Sequence, residues 1–282
     1  MTKLKNLKYY WTLIPFIVLL LLIEIVPLFN IIFKSFFDTS GNVSMANYVE
    51  IFTKPIYLKT VWNSIYLPLL SSVGALIIAF CSGLAISASS AKAQNAFMSI
   101  LNMTSNFCGL PLAFAFMIIL GNSGVLVLLS QSIGFSPLAN FKLYSINGIA
   151  MVYLYFQIPL GTLMIIPAFT GIKKEWRESA ALMHASSFQF WMKVGVPVLI
   201  PSIVNTFSML FANALAAYAT IYALVTNNFP VLPTKVAEMF TGEVVQRAEF
   251  GSALTVIMLL LMIIVIAAGN LVKKYCVRGE TA

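Results

Sequence analysis

The stretch Glu178-Ser-Ala-Ala-Leu-Met-His-Ala-Ser-Ser187, with Pro197 beyond it, is a polar island between two long apolar runs. From Lys174 to Met183 it contains neither Gly nor Pro and is rich in helix formers. Trp176, Ala180 and Met183 recur at helical spacing, which gives one short apolar face. Ser186-Ser-Phe-Gln189 has the form of a capping box, with Ser186 as N-cap and Gln189 three residues later. The spacing therefore predicts two short helices meeting at His184-Ala185. Pro197 and Pro201 suit the first turns of the helix that follows. A helix–turn–helix of this kind, with its apolar face free, rests either on lipid headgroups or on a partner.

Outward from the island, the composition sets the class. Hydrophobic residues make up 60% of the 282 residues and charged residues only 9%, far below the roughly 25% of a soluble domain. Apolar runs of about 20 residues, the length that crosses a bilayer, occur repeatedly. Hydropathy predicts six helical spans: 11–33, 61–87, 97–120, 146–169, 198–226 and 252–272. No ten-residue alternation points to a barrel. The net charge of +8 is not a nucleic-acid signature, because the basic residues sit at the ends of apolar runs rather than in one stripe. Cys81, Cys108 and Cys276 resemble neither a disulfide framework nor a metal site. The N-terminus is basic and then apolar, like a signal peptide. Its apolar run is too long, however, and no small-residue cleavage site precedes Pro27, so it reads as a retained first span.

Cation placement predicts orientation. Lys3, Lys5, Lys8, Lys92, Lys173, Lys174, Arg177, Lys193, Lys273, Lys274 and Arg278 fall on the side of the island. Lys34, Lys54, Lys59, Lys142, Lys235 and Arg247 fall on the other. The excess predicts that both termini and the island are cytoplasmic. Among the outer segments, 121–143 contains Val125-Leu-Val-Leu-Leu129, too apolar for a free loop, and reads as a short helix at the outer interface. The segment 227–251 carries Pro230 and Pro233 and then a predicted helix over 234–240.

The island resembles the EAA loop of the membrane permeases of binding-protein-dependent ABC importers. In that family an aromatic residue precedes Glu-Ala-Ala. After a short gap come Gly-Ala-Ser, a further aromatic and a Pro. Trp176, Glu178, Ala180, Ala185, Ser186, Phe190 and Pro197 match in register. Ser179 replaces the first Ala, and His184 replaces the Gly, which is the larger departure. A residue ending a helix in the left-handed conformation would explain Gly there, and His is tolerated at some cost. The alternative role for His184 is a pH-sensitive coupling residue. Pro27, Ser35-Phe36, Asn63-Ser64, Leu110-Pro111, Tyr155–Leu160 and Leu232-Pro233 support the resemblance over nearly the whole chain.

The resemblance implies an all-α integral membrane protein with six transmembrane helices, the type I ABC importer permease fold, over residues 1–282. It implies a coupling loop at 171–196, with Trp176, Glu178, Ser179, Ala180, Met183, His184, Ala185 and Ser186 contacting an ATPase. It further implies two cytoplasmic ATPase subunits, a second permease, homologous but different, and an external solute-binding protein. The setting would be a bacterial inner membrane. ATP and Mg2+ would be used by the partner. Consistent with that, this sequence has no Gly-x-x-x-x-Gly-Lys-Ser/Thr loop, and no Ser/His/Asp or Cys/His constellation marks an enzyme.

Polar residues inside spans are candidates either for the solute pathway or for helix contacts: Asn102, Asn106, Gln157, Asn205 and Asn213. Thr206, Asn213 and Thr220, seven apart, are expected to share a broad face. Glu24, inside the first span, would contact solute or a second subunit. The short first outer segment and Gln157-Ile-Pro look closest to the polyamine, iron and phosphonate branch. A small charged nutrient is therefore the first expectation for the solute, a sugar the second, and a channel or intramembrane enzyme a distant third.

Overall fold

In a computed structural model, residues 13–134, 138, 140–225, 229–241 and 246–278 are described. The described residues form helices and no strand beyond one isolated bridge between Phe37 and Val43. Six helical segments are long and apolar enough to cross a membrane: Leu13–Lys34, Pro55–Ser87, Leu110–Ser132, Ile146–Thr170, Ser187–Ala216 and Ala248–Cys276. The helices are α1 (Leu13–Lys34), α2 (Ala46–Thr53), α3 (Pro55–Ser87), α4 (Ala91–Asn106), α5 (Leu110–Leu120) and α6 (Val125–Ser132). They continue with α7 (Ile146–Thr170), α8 (Lys174–Leu182), α9 (Ser187–Ala216), α10 (Tyr218–Val225), α11 (Leu232–Thr241) and α12 (Ala248–Arg278).

The first, second, fourth and sixth predicted spans coincide with these helices to within two helical turns, the end near 11 falling among residues not described. The fifth starts earlier, at Ser187, because the short helix predicted after Ser186 runs on into the span, and it ends at Ala216, where the predicted range is broken before α10. The third differs in kind. The predicted range 97–120 is interrupted at Phe107–Gly109, and the long apolar stretch is Leu110–Ser132, made of α5 and α6. The predicted short helix after Gly121 is α6, and the one predicted over 234–240 is α11.

The chain divides into two compact units. The first holds residues 1–60 and 235–259. Within it, none of the apolar window of α1 is buried, and Glu24 sits exposed on a π-helical turn, Leu21–Ile25. After α1 the chain is tied back on itself. The Asn47 amide donates to the Phe37 carbonyl at 2.8 Å, and Tyr48 donates to the Ser35 hydroxyl at 2.8 Å. The Glu50 carboxylate then accepts two hydrogen bonds from Arg247, at 2.7 and 3.0 Å, and one from Lys54 at 2.8 Å. The Arg247 guanidinium lies 4.3 Å from the centre of the buried Phe250 ring. Held mainly by Arg247, against a smaller opposing effect of burial, the Glu50 carboxyl drops from an ordinary 4.5 to about 2. The same bond raises the Arg247 pKa.

The second unit holds residues 61–234 and 260–282. Its core gathers around α7, with Leu112, Ile149, Val152, Tyr153, Phe156 and Ile221 among the buried side chains. α4 and α9 pack on α7, and α10 packs on α5. Buried polar groups in lipid need internal partners, and most find them here. Asn63 donates to the Pro230 carbonyl at 3.0 Å, and Ser64 accepts from the Leu232 amide at 2.7 Å. Residues 61–91, 93–141, 143–172 and 194–234 of this unit contain no Asp, Glu, Lys or Arg.

Candidate functional site: the island between α7 and α9

α8 ends where the sequence predicts a stop. Met183 is the C-cap and His184 follows at φ 57°, the one non-glycine residue with positive φ among those described. The His184 amide donates to the Ala181 carbonyl and the Ala185 amide to the Ala180 carbonyl, each at 3.0 Å. This is the Schellman pattern, in which two otherwise orphaned carbonyls are satisfied as the chain turns left-handed. The small residues Ala180 and Ala185 occupy the two positions that meet across it. The next helix begins at once. The Ser186 hydroxyl accepts from the Gln189 amide at 3.2 Å, and the Gln189 side chain accepts from the Ser186 amide at 2.8 Å, so the predicted capping box is present.

The corner is exposed at its tip and fixed at its base. Leu182, Met183 and Phe188 are 83%, 81% and 73% exposed, whereas Phe190 is buried. Trp191 packs against Phe190, Phe169 and Phe80 at centroid distances of 5.7, 6.0 and 6.4 Å. Arg177 of α8 lies 5.8 Å from the centres of both the Phe190 and Trp191 rings. A π-helical turn at Trp191–Gly195 lets the indole lie over the next turn of helix. A Cβ at Gly195 would come within 2.3 Å of that ring. Glu178 points into solvent and pairs with Lys174 at 3.4 Å. Trp176, Glu178 and Ser179 are exposed, as the island's polar character predicts. The aromatic base was not singled out from sequence, because Phe80 and Phe169 are remote in the chain and read only as span residues.

The five predicted pathway residues separate. Asn102, Asn106 and Asn213 are exposed, each within about one turn of an interruption in its span: Asn102 and Asn106 before Phe107, Asn213 before Ala217. Gln157 is fully buried. It donates to the Ser71 and Ser72 hydroxyls at 3.2 and 3.4 Å, and its Oε1 has no hydrogen-bond partner. Asn205 accepts from Lys273 of α12. Thr206 and Thr220 are buried while Asn213 is exposed, and the helix breaks at Ala217, so the three do not form one strip. No group of His, Cys, Asp and Glu among the described residues is arranged to hold a metal.

In fold, the chain is similar to a bacterial ABC transporter involved in the import of the acidic polysaccharide alginate. The TM-score is 0.75 at 16% identity, covering 98% of this chain and 99% of that one. The class is thereby defined: a multi-pass membrane protein with the fold of an ABC transporter permease. In sequence it is 27% identical over 271 residues to the sulfoquinovosyl glycerol transport system permease protein SmoG of Agrobacterium fabrum, covering 90% of this chain and 86% of that protein. It is 26% identical over 244 residues to the putative ferric transport system permease protein FbpB 1 of Haemophilus influenzae, covering 85% of this chain but 37% of that protein. The chain matches no protein-family profile. Both of these relatives are transport system permease proteins.

Proposed function

We propose that this chain forms one half of the solute pathway of an ATP-driven importer and couples ATP-dependent closure of a cytoplasmic ATPase pair to the pathway. The observation that carries this reading is the exposed corner of α8 and α9. Its apolar tip of Leu182, Met183 and Phe188 has no cover among the described residues, yet it is stiffened by local capping and seated on an aromatic base. A tip built that way transmits a push. A helix merely resting on headgroups needs no such base. Trp176, Glu178, Ser179, Ala180, Met183, His184, Ala185 and Ser186 are the coupling residues in this proposal. ATP and Mg2+ belong to the ATPase, a second and different permease completes the pathway, and an external binding protein delivers the solute. The membrane is the bacterial inner membrane, with both termini and the island cytoplasmic.

For the solute, a small charged nutrient of polyamine, phosphonate or iron type is the reading from sequence, and the ferric relative supports it. The sugar reading is supported by the sulfoquinovosyl glycerol relative and by one observation: residues 93–141, 143–172 and 194–234 contain no Asp, Glu, Lys or Arg.

A Met183→Cys variant, expressed with the ATPase carrying single cysteines in its membrane-facing groove, tests the coupling reading. A cross-link that changes yield with ATP is expected, while Glu178→Arg lowers uptake without loss of membrane insertion. Normal uptake by Glu178→Arg together with no cross-link at any ATPase position would overturn the assignment. An impermeant thiol reagent added outside intact cells should fail to label Ala93→Cys or Ser187→Cys, and efficient labelling would reverse the orientation.

A further inference from the structure

Two breaks between consecutive helices of the second unit meet. The first lies between α4 and α5, where Gly109 adopts φ 73° and ψ −143°, a conformation open to glycine and closed to other residues. Pro111, in the first turn of α5, makes a fresh helix start rather than a continuation. The second is at Ala217, with φ −73° and ψ 71°, between α9 and α10. The Gly109 amide donates to the buried Thr220 hydroxyl at 3.1 Å, and the Tyr153 hydroxyl donates to the Ala217 carbonyl at 3.1 Å. Each break thus has one backbone group held by a side chain from another span.

The far side of the first break is uncovered. Asn106, Phe107 and Cys108 are exposed, and so is Tyr155, whose ring meets Phe107 edge-on at 6.2 Å. Tyr153 and Tyr155 lie seven and nine residues into α7, or roughly 11–14 Å from its Ile146 end. That depth is within a bilayer core and remote from the α8 corner. Irregular backbone at such depth is tolerated where protein buries it or where it lines water, not against lipid. Among the described residues nothing buries it. Broken helices of this kind recur at membrane solute sites.

The chemistry of the wall selects the solute. No Asp, Glu, Lys or Arg occurs in 93–141, 143–172 or 194–234. A polyamine asks for carboxylates and a phosphonate for cations, and neither is offered. Two exposed rings present flat apolar faces, while the Asn102 and Asn106 amides and the Tyr155 hydroxyl supply uncharged donors and acceptors. We propose that the break at Phe107–Gly109, with Tyr155, is a contact site for a polyhydroxylated ring: a sugar or sugar derivative, recognised without charge. This deepens the importer reading and rests on it.

The native Cys108 reports on the site. In the complete transporter, in nanodiscs, Cys81→Ser and Cys276→Ser leave Cys108 as this chain's one thiol. A trimethylammonium methanethiosulfonate should modify it, and maltose, sucrose or methyl glucoside should slow that reaction several-fold, with putrescine and 2-aminoethylphosphonate without effect. Phe107→Ala should abolish the protection. Four outcomes overturn the proposal: reaction with a lipid-soluble maleimide only, no reaction, protection by putrescine or the phosphonate instead of sugars, and no protection by any of these solutes. The Met183 cross-link to the ATPase is read on the same preparation. If it persists while the Cys108 result fails, the solute site alone is wrong.

Discussion

The chain interrupts its helices in two different ways. At His184 every bond that shapes the turn comes from within six residues: Ala180 and Ala181 behind it, Ser186 and Gln189 ahead. At Phe107–Gly109 and Ala217 the pinning groups come from 111 and 64 residues away. The first interruption is a local device and should survive as one even when its surroundings move. The second exists only while two spans and α7 are docked. A corner that carries force to a partner gains from the first kind, and a pathway wall that rearranges gains from the second.

The largest effect expected from breaking this contrast comes at the seat of the corner. A methyl at Gly195 would lie 2.3 Å from the Trp191 ring, so Gly195→Ala forces the indole off Phe80 and Phe169. Overpacking of this kind costs typically 1–3 kcal/mol. The thermal midpoint of the purified complex should fall. Solute-stimulated ATPase activity should fall further than basal activity, because the capped tip stays intact while its base shifts. Equal losses of both would mean that the base does not transmit.

Next in size is a matched pair. Thr220→Val leaves the partly buried Gly109 amide without its acceptor, a loss of about 1 kcal/mol. Ser186→Ala removes the N-cap, a loss of about 1 kcal/mol. The first should raise hydrogen exchange on both α5 and α10, since the break is shared between spans. The second should raise it on the first turn of α9 alone. If the Thr220 effect stayed within α10, the two breaks would not be coupled.

That division also explains what was legible in the sequence. The island could be read residue by residue, because its caps are local and its residue types announce them. The predicted spans match wherever an apolar run coincides with one helix, and the third and fifth do not, because they run across the breaks at Phe107–Gly109 and Ala217. The third failed because Asn102–Asn106 and Phe107–Gly109 look, by average hydropathy, like part of the span that continues from Leu110. The break depends on Gly109's φ and on Thr220, and neither is a local signal. The polarity of Gln157 leaves pathway and helix contact equally open, and only its burial on Ser71 and Ser72, one helix over, decides for the contact. The Glu50–Arg247 pair joins residues 197 apart and leaves no trace in the spacing of either.

That pair gives a smaller effect, on the order of 1 kcal/mol for a partly exposed ion pair, and a defined pH dependence. Its folded carboxyl lies at about 2 against an ordinary 4.5. The stabilisation is therefore present in full above pH 4.5 and is lost as pH falls toward 2. The thermal midpoints of wild type and Glu50→Gln, separated at neutral pH, should converge over that range. A gap that stays constant down to pH 2 would deny the carboxylate its role.

The smallest effect is expected at His184. Its φ of 57° places a side chain where glycine is free of strain and other residues are charged roughly 1–2 kcal/mol. His184→Gly removes that strain but adds freedom to the unfolded chain, which returns about 0.4–1 kcal/mol. The two nearly cancel, so the thermal midpoint should move little, and uptake should be at least that of wild type. His184→Val should do worse, since a β-branched residue tolerates positive φ poorly. Both Schellman bonds are made by backbone atoms, so nothing in the turn requires the imidazole, and the pH profile of uptake from 5.5 to 8 should be the same for wild type and His184→Gly. A profile that shifts on that substitution would mean that the ring itself reports protonation to the ATPase, and the corner would then be a switch rather than a fixed strut.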